Sequence, residues 1–456
     1  MDKKAMMKSM ARAAYQRGSF NGTWLYAEHG EIVSKGALGF QDPEDKMPME
    51  VECVFDLASV SKNFTAAAIL ILRRRGLLSL DDDVRKFFPE IPYKGVRVWN
   101  LLNHTGGLPD YMAWVDQLAK KENVLPDNSV IVRFLAECGK PALFAPGEKH
   151  EYSNTGYCLL AEIVEKVSGV PFEDFLRKEI FEPAGMTTAF VRHRRKDTAP
   201  VPDLAAAMVL EDDRFVTPEE SQKYHFVVTL DGNSGDGNVY ASVLDLFAWD
   251  QALRAGKVLT KEEQEFMYTP GKLNDGKTVG EEGVYGYGFG WYVVEPEGLG
   301  KVVSHSGGWP GVDTWYGRYL DADMVLILLS CRDGLDARVQ DTFYHNMSAI
   351  ARGKEEEIQP LKGIEDIMVK DPDKSGWAAF CGRYEPDPDD DENIDEVFLK
   401  DGDLWAWIVT DMGTRYALKL WPLGDDTFSF REDDTEITFG ENCFTVDDEV
   451  FKKISQ

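Results

Sequence analysis

The chain has 456 residues, 50 basic and 79 acidic side chains, and a formal net charge of −29 at pH 7. That balance excludes a general nucleic-acid binder, which needs cations to displace phosphate counterions, and docking on an anionic membrane surface. With 43% hydrophobic residues and 53 Trp, Tyr and Phe in all, the composition is globular, and the length predicts two or three domains.

The charge is uneven. Residues 371–456 hold 23 acidic and 8 basic side chains, a net of −15, which reads as a solvated, solubilising face. The N-terminal MDKKAMMKSMARAAYQRGSF has no apolar core and no small-residue cleavage site, so it is not read as a secretory signal. AAAILIL at 66–72 is too short to span a bilayer. The expectation is a cytoplasmic protein. Its six cysteines (Cys53, Cys138, Cys158, Cys331, Cys381, Cys443) show no CxxC spacing and are expected to be buried free thiols, with no disulfide and no metal site. No cofactor is expected.

In chain order, a short helix is predicted over 8–16. Asn21-Gly22 opens two strands that turn at His29-Gly30. Residues 59–75, SVSKNFTAAAILILRRR, predict an almost wholly apolar helix with a basic end, stopped by Gly76 and buried in a large domain. Short helices are expected at 81–88 and 96–102. A long connector, 109–147, carries one helix near 129–138. Helices follow at 156–168, ending at Gly169, and at 171–180. Another is expected over 239–254, after the Gly/Asn/Asp-rich DGNSGDGN. Strands are expected at 286–294, 301–307, 314–320 and 324–330, then a helix near 336–351. An antiparallel sheet assembled from both ends of this region, with flanking helices, gives an α+β core. Residues 353–375 read as a linker. Residues 376–456 alternate short apolar strands with Asp-Gly and Asp-Asp turns, the pattern of a small all-β barrel or sandwich.

Three segments could carry chemistry. Ser59 and Lys62 lie one turn apart at a helix start, so both face the same side. A serine hydroxyl needs an adjacent base, and a buried ammonium loses solvation and can become one. The helix start also aims amide donors at developing negative charge. Alone, this spacing is common by chance, and an N-cap serine beside a surface lysine is the plainer reading. Tyr152-Ser153-Asn154 lies at the entrance to an apolar helix. There a tyrosine can relay protons, and an asparagine can hold the lysine and donate to a substrate amide oxygen. The plain alternative is a capping Asn beside a half-buried Tyr. His305-Ser306-Gly307-Gly308 ends a strand. A histidine there can assist the tyrosine or bind a substrate oxygen, and the glycines allow close backbone approach and an oxyanion-hole amide. His104-Thr105-Gly106-Gly107 has the same spacing. Only the strand context favours His305.

Taken together, FDLASVSKNFTAAAI, VRVWNLLNHTGGLPDY, FAPGEKHEYSNTGYCLLAEIVEKVSG and VSHSGGWPG resemble, in order and separation, the motifs of the serine β-lactamase-related hydrolases. These include class C β-lactamases, D-alanyl-D-alanine carboxypeptidases, D-aminopeptidases and related esterases. The resemblance spans about residues 8–350. It implies a β-lactamase/transpeptidase-like domain over 1–352, with an antiparallel sheet, flanking helices and a helical lobe. Ser59 would be the acylated nucleophile, Lys62 its activator, and Tyr152 the general base and acid. Asn154 would orient Lys62 and the substrate amide. Ser59 and Gly308 would supply the oxyanion-hole amides, with Asn154, His305 and Gly307 lining the substrate. His305 stands where the penicillin-recognising enzymes usually carry Lys in Lys-Thr-Gly. A neutral imidazole is a weaker carboxylate anchor than a fixed cation.

The expected function is therefore acyl-enzyme hydrolysis of amide bonds in small peptides or amino-acid amides, D-configured ones among them. The alternatives are a carboxylesterase, a β-lactamase, or a non-catalytic ligand binder or sensor. The expected partner is a small peptide, amide or ester substrate, with no nucleic acid and no membrane, and with homo-oligomerisation left open. The C-terminal segment resembles the lipocalin-like domains of some D-aminopeptidase relatives. Its expected role is to shape or restrict access to the pocket. Trp405, Trp407 and Trp421 are expected in its core or at an interface.

Overall fold

In the computed structural model, the described residues are all except Met1, Asp45, Thr198, Asp212, Asp213, residues 388–391, Asp411, Asp448 and Gln456. They form two compact units. One comprises residues 21–220 and 224–332, and the other residues 1–20, 221–223 and 333–456.

The first unit is built on an eight-stranded antiparallel sheet. Its strands are β1 (Gly22–Glu28), β2 (Glu31–Leu38), β3 (Gly280–Glu281), β4 (Tyr285–Tyr287), β5 (Tyr292–Val294), β6 (Val302–Trp309), β7 (Val312–Tyr319) and β8 (Met324–Ser330), in the order β2-β1-β8-β7-β6-β5-β4-β3. The N-terminal hairpin joins the later strands through β1 and β8, with Gly22 opposite Ser330 and Glu28 opposite Met324. This is the assembly from both ends that the sequence predicts. β8, MVLILLS, is buried along nearly its whole length, as a strand covered on both faces must be.

Helix α1 (Lys62–Arg74) is buried from Lys62 to Leu72, and Arg73 and Arg74 occupy its last turn. Cations there complement the helix dipole. α2 (Asn154–Ser168) is capped by the Ser153 hydroxyl, which accepts from Gly156 N, and it stops at Gly169 in the left-handed conformation. α3 (Val243–Arg254) packs against β1 and β8. α4 (Lys261–Met267) follows it.

Several elements differ from expectation. The connector carries an additional helix, Met112–Glu122, which buries Val115, Leu118 and Ala119. The segment at 239–254 begins as a strand, Val239–Ala241, and turns helical only after Ser242, whose hydroxyl forms a capping box with Asp245. Residues 81–88 hold only a 3-10 turn, Val84–Lys86. The strand expected over 286–294 is broken into β4 and β5, with Gly290 at φ +75° between them. Such a φ costs glycine least.

The second unit contains helices Lys3–Gln16 and Ala337–Arg352 and a closed antiparallel barrel. The barrel strands are β9 (Gly382–Tyr384), β10 (Glu392–Lys400), β11 (Asp403–Thr410), β12 (Arg415–Lys419), β13 (Trp421–Pro422), β14 (Thr427–Ser429), β15 (Glu436–Gly440), β16 (Cys443–Val446) and β17 (Glu449–Ser455). β12 and β13 end the hydrogen-bonded order and are separated in the chain only by buried Leu420, so one bent strand closes the ring.

Leu404, Ala406 and Ile408 alternate into the barrel core with Phe428, Ile437, Phe439 and Phe444. Trp405 and Trp407, on the opposite face of β11, are half-buried outside it, under Lys400 and Arg415 respectively. Their amphipathic surroundings replace the core role that was one of the two expected. The 353–375 segment is ordered, with a short helix Ile364–Ile367. Ile364 is fully buried, and its amide donates to Asp336 Oδ2 at 2.6 Å.

All six cysteines are free. Cys53, Cys158 and Cys331 are buried, and the other three are partly exposed. Among the described residues, no helix is long and apolar enough to cross a membrane, and no group of three or more His, Cys, Asp or Glu could hold a metal ion.

Candidate active site

The short strand Phe55–Asp56 leads into a 3-10 turn, Ala58–Ser61, that continues as α1. Ala58, immediately before Ser59, sits at φ +44°. A non-glycine residue there is strained and must be held by its surroundings. Three hydrogen bonds do so. Ala58 N donates to Asp56 Oδ1 at 2.9 Å, Leu57 N to Val239 O at 2.9 Å, and Thr314 Oγ1 to Leu57 O at 3.0 Å. Asp56 is buried and is paired with Arg194 at 3.3 Å.

Lys62 is fully buried. Its ammonium donates to Ser59 Oγ at 3.0 Å, Asn154 Oδ1 at 2.8 Å and the backbone carbonyl of Asp236 at 2.8 Å. Three donors meet three acceptors, so the group is fully satisfied. Burial pushes its pKa down to about 8, while the negative charge of Asp236 opposes the shift.

Tyr152 lies just before the α2 cap. Its ring centroid is 4.9 Å from Lys62 Nζ. The residue exposes 37% of its surface, but its hydroxyl end is enclosed beside Ser59. Burial raises the phenol above its ordinary pKa, a hydrogen bond with Ser59 opposes this, and the Asp236 charge adds to the rise. Ser59, Lys62, Tyr152 and Asn154 are thus brought together.

His305 is 1% exposed, with its ring 6.2 Å from that of Tyr152. Its Nδ1 lies 2.6 Å from Ser306 O and its Nε2 2.9 Å from the Tyr287 hydroxyl. A carbonyl only accepts, so Nδ1 carries the proton and Tyr287 donates to Nε2. Burial, with the Lys62 charge adding to it, pushes the imidazole down to about 3 and keeps it neutral.

Beyond Ser304, β6 has β7 on one side and, among the described residues, no paired strand on the other, because β5 pairs with Val302–Ser304. Residues 305–309 therefore present one unpaired main-chain edge. A Cβ at Gly307 would collide with the Leu57 carbonyl and the Thr314 hydroxyl. One at Gly308 would meet open space. The close approach at Gly307 sets β6 against the backbone just before Ser59.

Sequence reasoning missed four neighbours. Asp236 holds Lys62 through its carbonyl and accepts from Tyr111 OH on Oδ2 at 3.1 Å. The glycines flanking it were the visible signal. Gly235 lies at φ +101°, and a Cβ there would strike Ala161 at 2.7 Å. His104, set aside in favour of His305, is also at the site. Its Nδ1 accepts from Ser153 N at 3.0 Å, and its ring lies 4.3 Å from that of Tyr152. Tyr287 and Tyr292 complete the wall, with Tyr292 4.9 Å from the His305 ring.

Residues 7–349 match the Beta-lactamase family, and the chain belongs to it. It is an enzyme of the serine-hydrolase type within that family. Among its relatives, penicillin-binding protein 4* of Bacillus subtilis (strain 168) is 34% identical over 97% of this chain and 95% of its own. A D-aminopeptidase of Brucella anthropi is 28% identical over 61% of this chain and 50% of its own. Among solved structures, the octameric penicillin-binding protein homologue from Pyrococcus abyssi aligns with a TM-score of 0.66 and 25% identity. That alignment covers 99% of this chain and 100% of that one.

Proposed function

We propose that the chain hydrolyses amide bonds of small peptides or amino-acid amides through an acyl-Ser59 intermediate. The observation that carries this is the buried Lys62 ammonium, 3.0 Å from Ser59 Oγ with a pKa near 8. A lysine in that range is neutral often enough to take the serine proton. The resemblance assigns the base role to Tyr152. The raised phenol favours Lys62 as the first acceptor, with neutral Tyr152 as the proton donor to the leaving group.

In this scheme Ser59 Oγ bonds to the carbonyl carbon as its proton passes to Lys62. The oxyanion is held by the amides of Ser59 and Gly308. The C–N bond then breaks, and the leaving nitrogen takes a proton through Tyr152. Water attacks the acyl carbon, loses its proton to the same pair, and Ser59 departs reprotonated. Asn154 positions Lys62 and donates its amide to the substrate oxygen, and Gly307 lets the substrate approach β6. His305, with both ring nitrogens engaged, acts by fixing the Ser306 carbonyl and the strand edge.

A neutral imidazole in place of a lysine offers no fixed charge to a substrate carboxylate. That favours amino-acid amides, D-configured ones included as the name of the Brucella relative suggests, over β-lactams and free-carboxylate peptides. A carboxylesterase is the second reading, since the same acyl chemistry serves esters. A Ser59→Ala variant tests the mechanism: acyl-enzyme mass adducts should vanish, and ester hydrolysis at the wild-type rate would sink it. Turnover of D- and L-amino-acid amides, aryl esters and a chromogenic cephalosporin separates the substrate classes.

The catalytic domain is proposed to run over 1–352, close to the family match at 7–349, with 353–375 joining it to the 376–456 barrel, although the helices Lys3–Gln16 and Ala337–Arg352 group with the barrel in the compact units. Bent β12–β13 makes that barrel an eight-stranded meander, which supports the lipocalin-like comparison; the role in shaping access is carried over from the family resemblance alone. A cytoplasmic location suits six free thiols. Homo-oligomerisation is an extension of the octameric relative's description.

A further inference from the structure

A cavity of about 410 Å³ opens in the first unit among α3, α4, β7 and the β7–β8 turn. None of Ser59, Lys62, Tyr152, Asn154 or His305 lines it. Its size falls within the range of about 300–1,000 Å³ seen for small-molecule sites.

Its charged lining is Asp250, Arg254, Lys261, Glu265, Arg318 and Asp323. Arg318 forms the floor, with its side chain 5% exposed. Its Nε donates to Asp250 Oδ1 at 2.7 Å and its Nη1 to the Tyr268 hydroxyl at 2.8 Å. Among the described residues, Nη2 has no protein acceptor. Because Tyr268 accepts from Arg318, its own O–H is free to donate.

The carboxylates are already engaged. Asp250 holds Arg318, Asp323 takes both terminal nitrogens of Arg254, and Glu265 takes Lys301 at 2.7 Å. Among the described residues, no carboxylate pairs with Lys261, whose ammonium reaches only the Leu253 carbonyl, at 3.3 Å. Burial, together with the facing guanidinium groups of Arg318 and Arg254, holds that ammonium below its ordinary pKa, against the pull of Asp250. The lining thus sets three cations against three carboxylates, and with Lys301 outside it taking Glu265, Lys261 is the lining cation left without a carboxylate among the described residues.

We propose that this cavity is a binding site for a small oxyanion, a carboxylate or phosphate group. The group would accept from Arg318 Nη2, Lys261 Nζ and the Tyr268 hydroxyl. A planar guanidinium beside an ammonium and a hydroxyl suits such oxygens. Each donor it satisfies is one the protein leaves open, and its charge relieves the repulsion among Arg254, Lys261 and Arg318.

The test uses the full chain, with inorganic phosphate and succinate as separate probes and sodium chloride at matched ionic strength as the reference. Calorimetric titration and thermal unfolding should show saturable binding and a concentration-dependent rise in Tm for at least one probe. Lys261→Met should weaken that binding at least about tenfold, the loss of one charge-assisted hydrogen bond, and Lys261→Arg should retain most of it. Lys261 is exposed and bonds only one carbonyl, so the variant should fold and still acylate Ser59. Binding of phosphate alone would assign the site to phosphate, and of succinate alone to carboxylates. No saturable effect beyond chloride, or equal affinity in Lys261→Met, would overturn the proposal.

Discussion

With a pKa near 8, Lys62 is about nine-tenths charged at pH 7 and cannot then accept a proton. Acylation by neutral Lys62 therefore predicts that kcat/KM climbs about tenfold per pH unit below 8 and levels off above it. The Asp236 carboxylate raises the Lys62 pKa, so Asp236→Asn should lower it and move the climbing limb to lower pH. An unmoved limb would mean that Lys62 is not the titrating base. Ser59, Lys62, Tyr152 and Asn154 were legible because their side chains do the bonding and lie in two short motifs. Asp236 was not, because it grips Lys62 through a main-chain carbonyl that any residue owns. His104 and His305 share one spacing, and only three-dimensional placement shows that both reach Tyr152.

Between elements, β6 fits closely against the turn that bears Ser59. Gly307→Ala would drive a methyl into the Leu57 carbonyl and push the strand edge away from the nucleophile. The expected result is a fall in kcat of about a hundredfold or more, the scale of losing an oxyanion donor, with stability reduced as well. A near-normal rate would mean that the edge does not border the reaction. In the barrel, Phe428 is fully buried against Trp377, Phe380 and Phe439. Phe428→Ala should cost about 3–5 kcal/mol, read as a lower urea midpoint for the barrel transition. The sheet and barrel were readable from apolar runs, turn residues and alternation. Met112–Glu122 was hidden by its surroundings. Its apolar spacing is helical, but it lies in a polar connector bounded by Pro109 and Pro126. The strand at Val239–Ala241 is three residues long, and only the pairing of Ser242 with Asp245 marks where it yields to helix.

Across the whole molecule, a charge of −29 works against compaction by self-repulsion. Screening should help. Raising sodium chloride from about 20 to about 300 mM shortens the Debye length severalfold, and Tm should rise with it. A Tm that falls instead would show that the surface ion pairs outweigh the net repulsion. The two units also differ in the backbone they present. The barrel is a closed ring, so its main-chain hydrogen bonds turn inward on themselves, and anything that associates with it must do so through side chains. The hydrolase sheet ends openly at β2 and β3 and has the half-open β6 beside Ser59. An extended peptide can add itself there as one more strand. Such a peptide would be gripped by features that all amino acids share, so binding at that edge would tolerate varied side chains in a small substrate.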